Sequence, residues 1–275
     1  MVMEEKVFNT GETASELKAK YNPEGSTLRK AQMRMLEMLV FIDKICRQED
    51  IKYYIEGGTM LGAVRHKGFI PWDDDADIVM TEDSFKRFSD YMKAHPHPQF
   101  VLQNHETDPG YFGFWTVLRD LKSEYIQDSA THNARKYRGC QVDIFCVTKP
   151  AHFGLQRFAG AFTFLNQKFF IGRVNVLANV VYQVQRCVII PCCKALAKII
   201  GKKDYYMYPW GSLFREQCPA EVVEGPTKDI EFEGVMLQGP GLVEQYLLHQ
   251  FGKTYNELPP AESRLGHKTE VIFSE

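Results

Sequence analysis

Apolar residues Leu28, Met35, Leu36, Leu39, Ile42 and Ile45 recur at helical spacing, so the chain is expected to form one long amphipathic helix from Ser26 or Thr27 to about Glu49. Residues 1–25 read as a polar lead-in that closes on the turn Asn22-Pro23-Glu24-Gly25. Beyond the helix, 51–55 reads as strand, 60–65 as a short helix, and 72–80 as a second strand loaded with acid in its first half. A helix over 83–94 follows, and strands near 100–103, 114–120 and 141–145 extend the sheet. The stretch 151–210 reads mostly as helix interrupted at Pro191, and the tail from Cys218 returns to strand-like and helical pieces. The pattern predicts an α+β domain: a core over 26–150, a helical insertion over 151–210, and a C-terminal part over 211–275 that completes the same domain.

Composition narrows the class. With 275 residues, 44% hydrophobic and 25% charged, the chain is neither disordered nor fibrous. The formal net charge of −2 speaks against a nucleic-acid partner. That total hides an asymmetry: positions 144–203 contain no Asp or Glu but nine Lys and Arg, leaving −11 for the remainder. A 60-residue gap is long for a chain in which about one residue in eight is acidic, and it points to contact with an anionic surface or to a basic subdomain closing over an anionic ligand. The seven cysteines show no metal-ligand spacing, and Cys192 and Cys193 adjoin, so reduced thiols and a cytoplasmic location are expected, with the inner face of the membrane as one place for the basic stretch. The longest uncharged run, 174–185, has 12 residues, fewer than the ~20 a membrane span needs.

The chemistry concentrates in 56–78, Glu-Gly-Gly-Thr-Met-Leu-Gly-Ala-Val-Arg-His-Lys-Gly-Phe-Ile-Pro-Trp-Asp-Asp-Asp-Ala-Asp-Ile. Two glycines between a strand and a helix let backbone N–H groups approach an anion, and Thr59 adds a hydroxyl. Asp75 and Asp77 alternate and so share a face, and like charges so close call for a cation between them. A pair of carboxylates beside an anion cradle suits Mg²⁺ on a diphosphate, with Asp143, alone in an apolar strand, as third acid. Asp73 shares the period of Asp75 and Asp77 and stands as a fourth ligand, ahead of Asp74. Arg65, His66 and Lys67 supply positive charge for a phosphate. Taken singly, Gly57-Gly58 is an ordinary turn and Asp143 a core carboxylate; the conjunction carries the reading.

The string from Gly57 to Ile78 resembles the signature of the LicD family, which includes bacterial phosphocholine transferases and, more distantly, fukutin-related proteins. The likeness continues at Val142-Asp143-Ile144-Phe145 and returns at Phe232-Glu233-Gly234, Tyr246-Leu247, Tyr255, Pro259-Pro260, Arg264 and His267. Where family members often carry Tyr-Gly-Asp, this chain has Phe251-Gly252-Lys253. The resemblance implies a nucleotidyltransferase-like mixed sheet flanked by helices. It also implies transfer of a phospho-alcohol, phosphocholine first, from a CDP-activated donor to a glycan hydroxyl of a lipopolysaccharide or teichoic acid precursor. Asp75, Asp77 and Asp143 would be catalytic, these three and Asp73 would hold Mg²⁺ or Mn²⁺, and Gly57, Gly58, Thr59, Arg65, His66, Lys67 and Trp72 would contact substrate. For a choline donor, Trp72, Tyr111, Phe112, Phe114 and Trp115 are the candidate aromatic cage. Transfer of a nucleoside monophosphate, or a non-catalytic glycan-binding role, are the competing readings.

Overall fold

The computed structural model describes residues 6–213, 217–264 and 270–274. Helix α1, Ala14–Tyr21, opens on a capping box between Thr13 and Glu16. Helix α2, Thr27–Gln48, follows the sequence expectation, with the Ser26 hydroxyl accepting the Arg29 N–H at 3.2 Å. Strand β1, Tyr54–Ile55, leads into α3, Gly57–His66, then β2, Asp77–Thr81, and α4, Glu82–Ala94. Next come β3, Phe100–Gln103, β4, Thr116–Asp120, β5, Ser123–Ile126, α5, Ala130–Asn133, and β6, Gln141–Val147. Helices α6, Phe153–Phe169, α7, Asn175–Val184, and α8, Ile190–Ile200, make up the insertion. The chain ends with β7, Tyr205–Met207, β8, Gln217–Pro219, α9, Ala220–Glu224, the hairpin β9, Thr227–Phe232, and β10, Val235–Pro240, then α10, Val243–Phe251, and β11, Glu270–Phe273.

The central sheet is mixed, in the order β1-β2-β6-β4-β3, with only β2 and β6 parallel. Helix α2 covers it with Met38, Leu39 and Ile42, each fully buried. The tail joins this core: Phe232 meets Phe69 with ring centroids 4.8 Å apart, and Tyr246, Leu247 and Val271 lie in the same cluster. Helices flank a mixed sheet, as the resemblance implied, within the α+β architecture that the pattern predicted.

Three local expectations are corrected. Strand 51–55 narrows to the two residues of β1, because Ile51 and Tyr53 spend their side chains on the core ahead of any ladder partner. The acid-rich strand begins only at Asp77; residues 72–76 form irregular lead-in, since three consecutive carboxylates, Asp73 to Asp75, resist regular pairing. Pro191 does not break its helix. A π-helical segment, Gln185–Ile189, joins α7 to α8, and its wider turn takes up the hydrogen bond and space that proline denies to an α-turn. The helical run is therefore continuous over Asn175–Ile200, 26 residues, which by length and composition alone is enough to cross a membrane.

Truncating Leu39 to alanine removes a fully buried side chain at the centre of α2. The expected loss is about 3 kcal/mol, read as a lower denaturant midpoint with an unchanged slope.

Candidate active site

The site is assembled where β1 hands the chain to α3. Glu56 occupies the N-cap of α3 and is almost fully buried, with its backbone N–H donating to the Asp77 carbonyl at 3.0 Å. Its carboxylate accepts from the hydroxyls of Tyr208 and Tyr246, the latter at 2.7 Å. The Tyr246 oxygen in turn accepts the Gly57 N–H at 2.7 Å. One buried acid thus ties together the helix start, the C-terminal helix α10 and the segment after the insertion.

The two glycines make room for acids. Gly57 sits at φ +53°, a left-handed conformation that favours glycine. A methyl group on Gly58 would lie 2.8 Å from Oδ2 of Asp73, and one on Gly57 3.4 Å from Oδ2 of Asp77. Thr59 is buried, and its hydroxyl accepts the Asp77 N–H at 2.9 Å, fixing the first residue of β2 against the first turn of α3. Two carboxylates therefore stand at the positive end of a ten-residue helix.

Sheet register supplies the third acid. In the parallel pair β2–β6, Asp77 lies directly opposite Asp143, and the Asp143 N–H donates to the Ala76 carbonyl at 2.8 Å. The Asp143 carboxylate accepts from Gln141 Nε2 at 2.9 Å, and the Trp115 indole lies near enough to oppose its rise in pKa. Burial pushes its pKa up to about 7; the charge of Asp75 adds to the rise, while Arg119, Trp115 and Arg135 oppose it. Asp77 is driven well above the usual carboxylate range by burial first, then by Asp75, Asp143, Glu56 and Asp73. Asp73 rises for the same reasons, burial and then Asp75, with which it shares a hydrogen bond.

Asp73, Asp75, Asp77 and Asp143 thus lie within electrostatic reach of one another. The donor set is all oxygen and its charges raise one another's proton affinity, which fits a hard divalent cation such as Mg²⁺. Among the described residues, however, no three of His, Cys, Asp or Glu stand close enough together to hold a metal ion as they are. Next to the acids, a cavity of about 260 Å³ is lined by Asp74, Asp75, Arg119, Arg135, His132 and Gln141. Arg119 is 1% exposed; its Nε donates to Gln103 at 2.6 Å and one Nη to the Gly139 carbonyl at 2.7 Å. Its other Nη is buried without a hydrogen-bond partner, a donor awaiting an acceptor. Burial and the neighbouring Arg135 press its pKa down to about 10.

The remaining residues singled out in the sequence go elsewhere. Arg65 and His66 occupy the last turn of α3, about 12 Å along the helix from Gly57. Arg65 is buried and donates to the Tyr255 and Glu257 carbonyls and to His66, although the charge of Asp73 still reaches it. His66 is held neutral, its pKa pushed down to about 3 by burial and by Arg65 and Lys6. Lys67 caps the helix at φ 60°, and its carbonyl accepts the Glu233 N–H at 2.8 Å. Trp72 packs edge-on against Tyr21 and under the Arg264 guanidinium, 5.4 Å from the ring centre. These four brace the tail against α3 rather than joining the carboxylates. His267 lies outside the described residues.

The aromatic candidates also divide. Tyr111 and Phe112 are core residues, whereas Phe114 and Trp115 line a cleft of about 460 Å³ with Phe85 and Tyr182. Phe114 stacks on Tyr182 with centroids 4.8 Å apart. Trp115 borders this cleft and touches Asp143, so the cleft adjoins the acids.

Sequence reasoning missed Glu56, Arg119, Arg135, Tyr208 and Tyr246 as parts of the site. Arg119 carried the signal that singled out Asp143, a charge inside an apolar strand, and Glu56 immediately precedes the glycine pair.

A carboxylate-lined sheet edge at a glycine-opened helix defines a class before it defines a family. Residues 50–157 match the family model described as LicD/FKTN/FKRP, nucleotidyltransferase domain. The lipopolysaccharide cholinephosphotransferase LicD of Haemophilus influenzae is 41% identical over 266 residues, covering 90% of this chain and 98% of that protein. The chain belongs to the LicD family. A Rickettsia prowazekii protein, RP689, is 41% identical over 141 residues, 44% of this chain and 52% of its own length. The human ribitol 5-phosphate transferase FKRP is 50% identical over 34 residues, 12% of this chain and 7% of its own.

The raised carboxyl at Asp143 has a stability signature. The folded protein keeps a proton that the unfolded chain, with a value near 3.8, releases, so metal-free stability is fully present below about pH 4 and declines as pH rises toward about 7. Asp143→Asn removes this contribution. At pH 8 without divalent metal the variant is expected to be about 1–2 kcal/mol more stable than the parent, and near pH 4 the two should converge, as read by chemical denaturation. A variant equally destabilised at both pH values would contradict the crowding of acids.

Proposed function

We propose that this chain is a Mg²⁺-dependent transferase that moves phosphocholine from a CDP-activated donor to a hydroxyl of a cell-surface glycan precursor, lipopolysaccharide before teichoic acid. The observation that carries the reading is the register match of Asp77 with Asp143 beside Asp73 and Asp75 at the glycine-opened end of α3. It stands in a chain alike over nine-tenths of its length to a lipopolysaccharide cholinephosphotransferase.

The chemistry follows from the residues. The acceptor hydroxyl oxygen attacks the phosphorus that carries choline, its bond to CMP breaks, and the hydroxyl proton goes to a base. Asp143, with a pKa near 7 and a carboxylate steadied by Gln141, is the base in this reading. Asp73, Asp75 and Asp77 hold the metal ion, Mg²⁺ with Mn²⁺ able to use the same oxygens. When bound, that ion offsets the charge gathering on the leaving CMP. Arg119 turns its unpaired donor toward the diphosphate and Arg135 adds a second guanidinium from the same cavity. The choline ammonium lies against Phe114, Trp115 and Tyr182, where ring faces attract a cation that cannot donate a hydrogen bond. The nucleotidyltransferase-like label for the fold, and a cytoplasmic place of action, belong to the same proposal.

Purified protein with Mg²⁺, a lipid-linked glycan acceptor and CDP-choline, CDP-ribitol or CDP-glycerol in turn is expected to release CMP, not pyrophosphate, and fastest from CDP-choline. Asp75→Asn and Asp143→Asn should each lower turnover about a thousandfold while the chain stays folded. Pyrophosphate release would mean nucleotidyl transfer instead, and no release from any donor would favour a glycan-binding role.

Replacing Phe114 by leucine keeps bulk and removes a ring face. The KM for the choline donor should rise about fivefold with kcat retained, and the KM for a ribitol donor should not change.

A further inference from the structure

Helices α6 and α7–α8 are built the wrong way round for water. Helix α6 buries Gln156, Ala159, Gly160, Thr163 and Asn166. It turns Phe158, Phe164, Leu165 and Phe169 outward, about half exposed each. The return run buries Ala178, Tyr182, Gln185, Ile190, Cys193 and Ala197, while Val176 is 76% and Ile199 79% exposed, with Val180, Val184, Val188 and Leu196 outward between them.

The seam between the helices is correspondingly polar and close. Gln185 Nε2 donates to the Ala159 carbonyl and to the Thr163 hydroxyl, both at 2.8 Å, and Asn166 Nδ2 donates to the Ala178 carbonyl at 3.0 Å. Small residues that let backbones approach, amide side chains that link them, and apolar residues outside are how helices pack in lipid, where burial of apolar surface gives no drive toward a neighbouring helix.

Charge identifies the surroundings further. The stretch 144–203 has nine basic residues and no acid. Arg186 and Lys194 are drawn to Glu106 at 2.9 Å and Glu82 at 3.0 Å on the catalytic domain. Arg157, Lys168, Arg173, Lys198, Lys202 and Lys203 have no carboxylate partner among the described residues. Lys168 extends over the Phe164 and Phe169 rings, 5.7 and 5.4 Å from their centres, as basic side chains do at an apolar boundary. A second copy of the chain is a poor occupant, because face-to-face packing would bring two acid-free basic stretches together.

The hairpin is held along the domain rather than projecting from it. Ala151 and Lys202 exchange backbone hydrogen bonds of 3.1 and 2.8 Å at its base, and Tyr182 and Ile171 pack on Phe112 further along. Crossing a bilayer would require tearing these contacts. We infer that α6 and α7–α8 form a monotopic platform lying in the headgroup–acyl boundary of an anionic bilayer, apolar side chains inward and lysines at the headgroups. This surface stands independently of the transferase reading, and its failure leaves the carboxylate site untouched.

The test is flotation of the full chain with phosphatidylcholine vesicles, with and without phosphatidylglycerol, alongside sedimentation velocity without lipid. The parent is expected to float with the anionic vesicles. The triple substitution Lys198→Gln, Lys202→Gln and Lys203→Gln should weaken binding about a hundredfold at low salt, roughly fivefold per charge. Phe164→Ser with Val176→Ser and Val180→Ser should leave the protein at the bottom, with a melting temperature no lower than the parent's because all three positions are exposed. A parent that stays at the bottom with both vesicles overturns the proposal. So does flotation that neither variant weakens, or a lipid-free dimer that the serine variant dissociates while the parent fails to float.

Discussion

Everything around the site answers one electrostatic problem: how to keep several carboxylates together, largely out of water, at one edge of a sheet. Left alone, Asp73, Asp75, Asp77 and Asp143 would protonate or push the strands apart. The fold meets the difficulty with backbone rather than with salt bridges. The start of α3 directs its positive end at the cluster, glycines at 57 and 58 remove the Cβ atoms that would collide with Asp73 and crowd Asp77, and Thr59 takes the Asp77 N–H. Arg119 and Arg135 bring positive charge close to Asp143, and Arg119 keeps one donor unspent. The result is an acid cluster held short of neutralisation, which is the state a cation and a diphosphate would complete.

Glu56 shows how far this requirement spreads. It is a fifth acid in electrostatic contact with Asp77, yet its two tyrosine partners come from Tyr208 and Tyr246, far along the chain. The residues after the insertion therefore pack onto the site itself. The C-terminal segment closes the site from behind: Arg65 and Lys67, which read in sequence as phosphate contacts, instead fasten that segment to α3, while His66 packs on Phe8 and Trp72. Charge beside a glycine turn looks the same in one dimension whether it faces a ligand or a carbonyl. Only the pitch of α3 separates the two, because it carries those side chains some two turns from Gly57.

What was legible in the sequence was whatever local spacing controls. The length and cap of α2 and the candidate acids follow from periodicity, from Ser26, and from single charges in apolar runs, and the mixed sheet from the family resemblance. What was not legible depends on contacts distant in sequence. The register that sets Asp77 against Asp143, the tyrosines on Glu56 and the two destinations of the aromatic candidates are decided by packing. Pro191 is a third kind of case: its effect depends on whether a π turn can precede it, and here Gln185–Ile189 provides one, so the helix runs on.

The same length correction changes the meaning of the acid-free stretch. Read as a 12-residue uncharged run, it is too short to engage lipid by spanning; read as a continuous 26-residue helix beside α6, it need not span at all. Its interior is satisfied by Gln185, Asn166 and Thr163, so the apolar side chains are free to serve the outside. The basic residues divide accordingly, Arg186 and Lys194 turning inward to the catalytic domain and the lysines at 198, 202 and 203 remaining at the end where the hairpin rejoins it. Because Tyr182 of this hairpin also walls the aromatic cleft beside Trp115, whatever orients the hairpin at a surface orients the cleft and the acids with it. An enzyme whose acceptor is carried on lipid gains from that arrangement by meeting its substrate in two dimensions with the site already turned toward it.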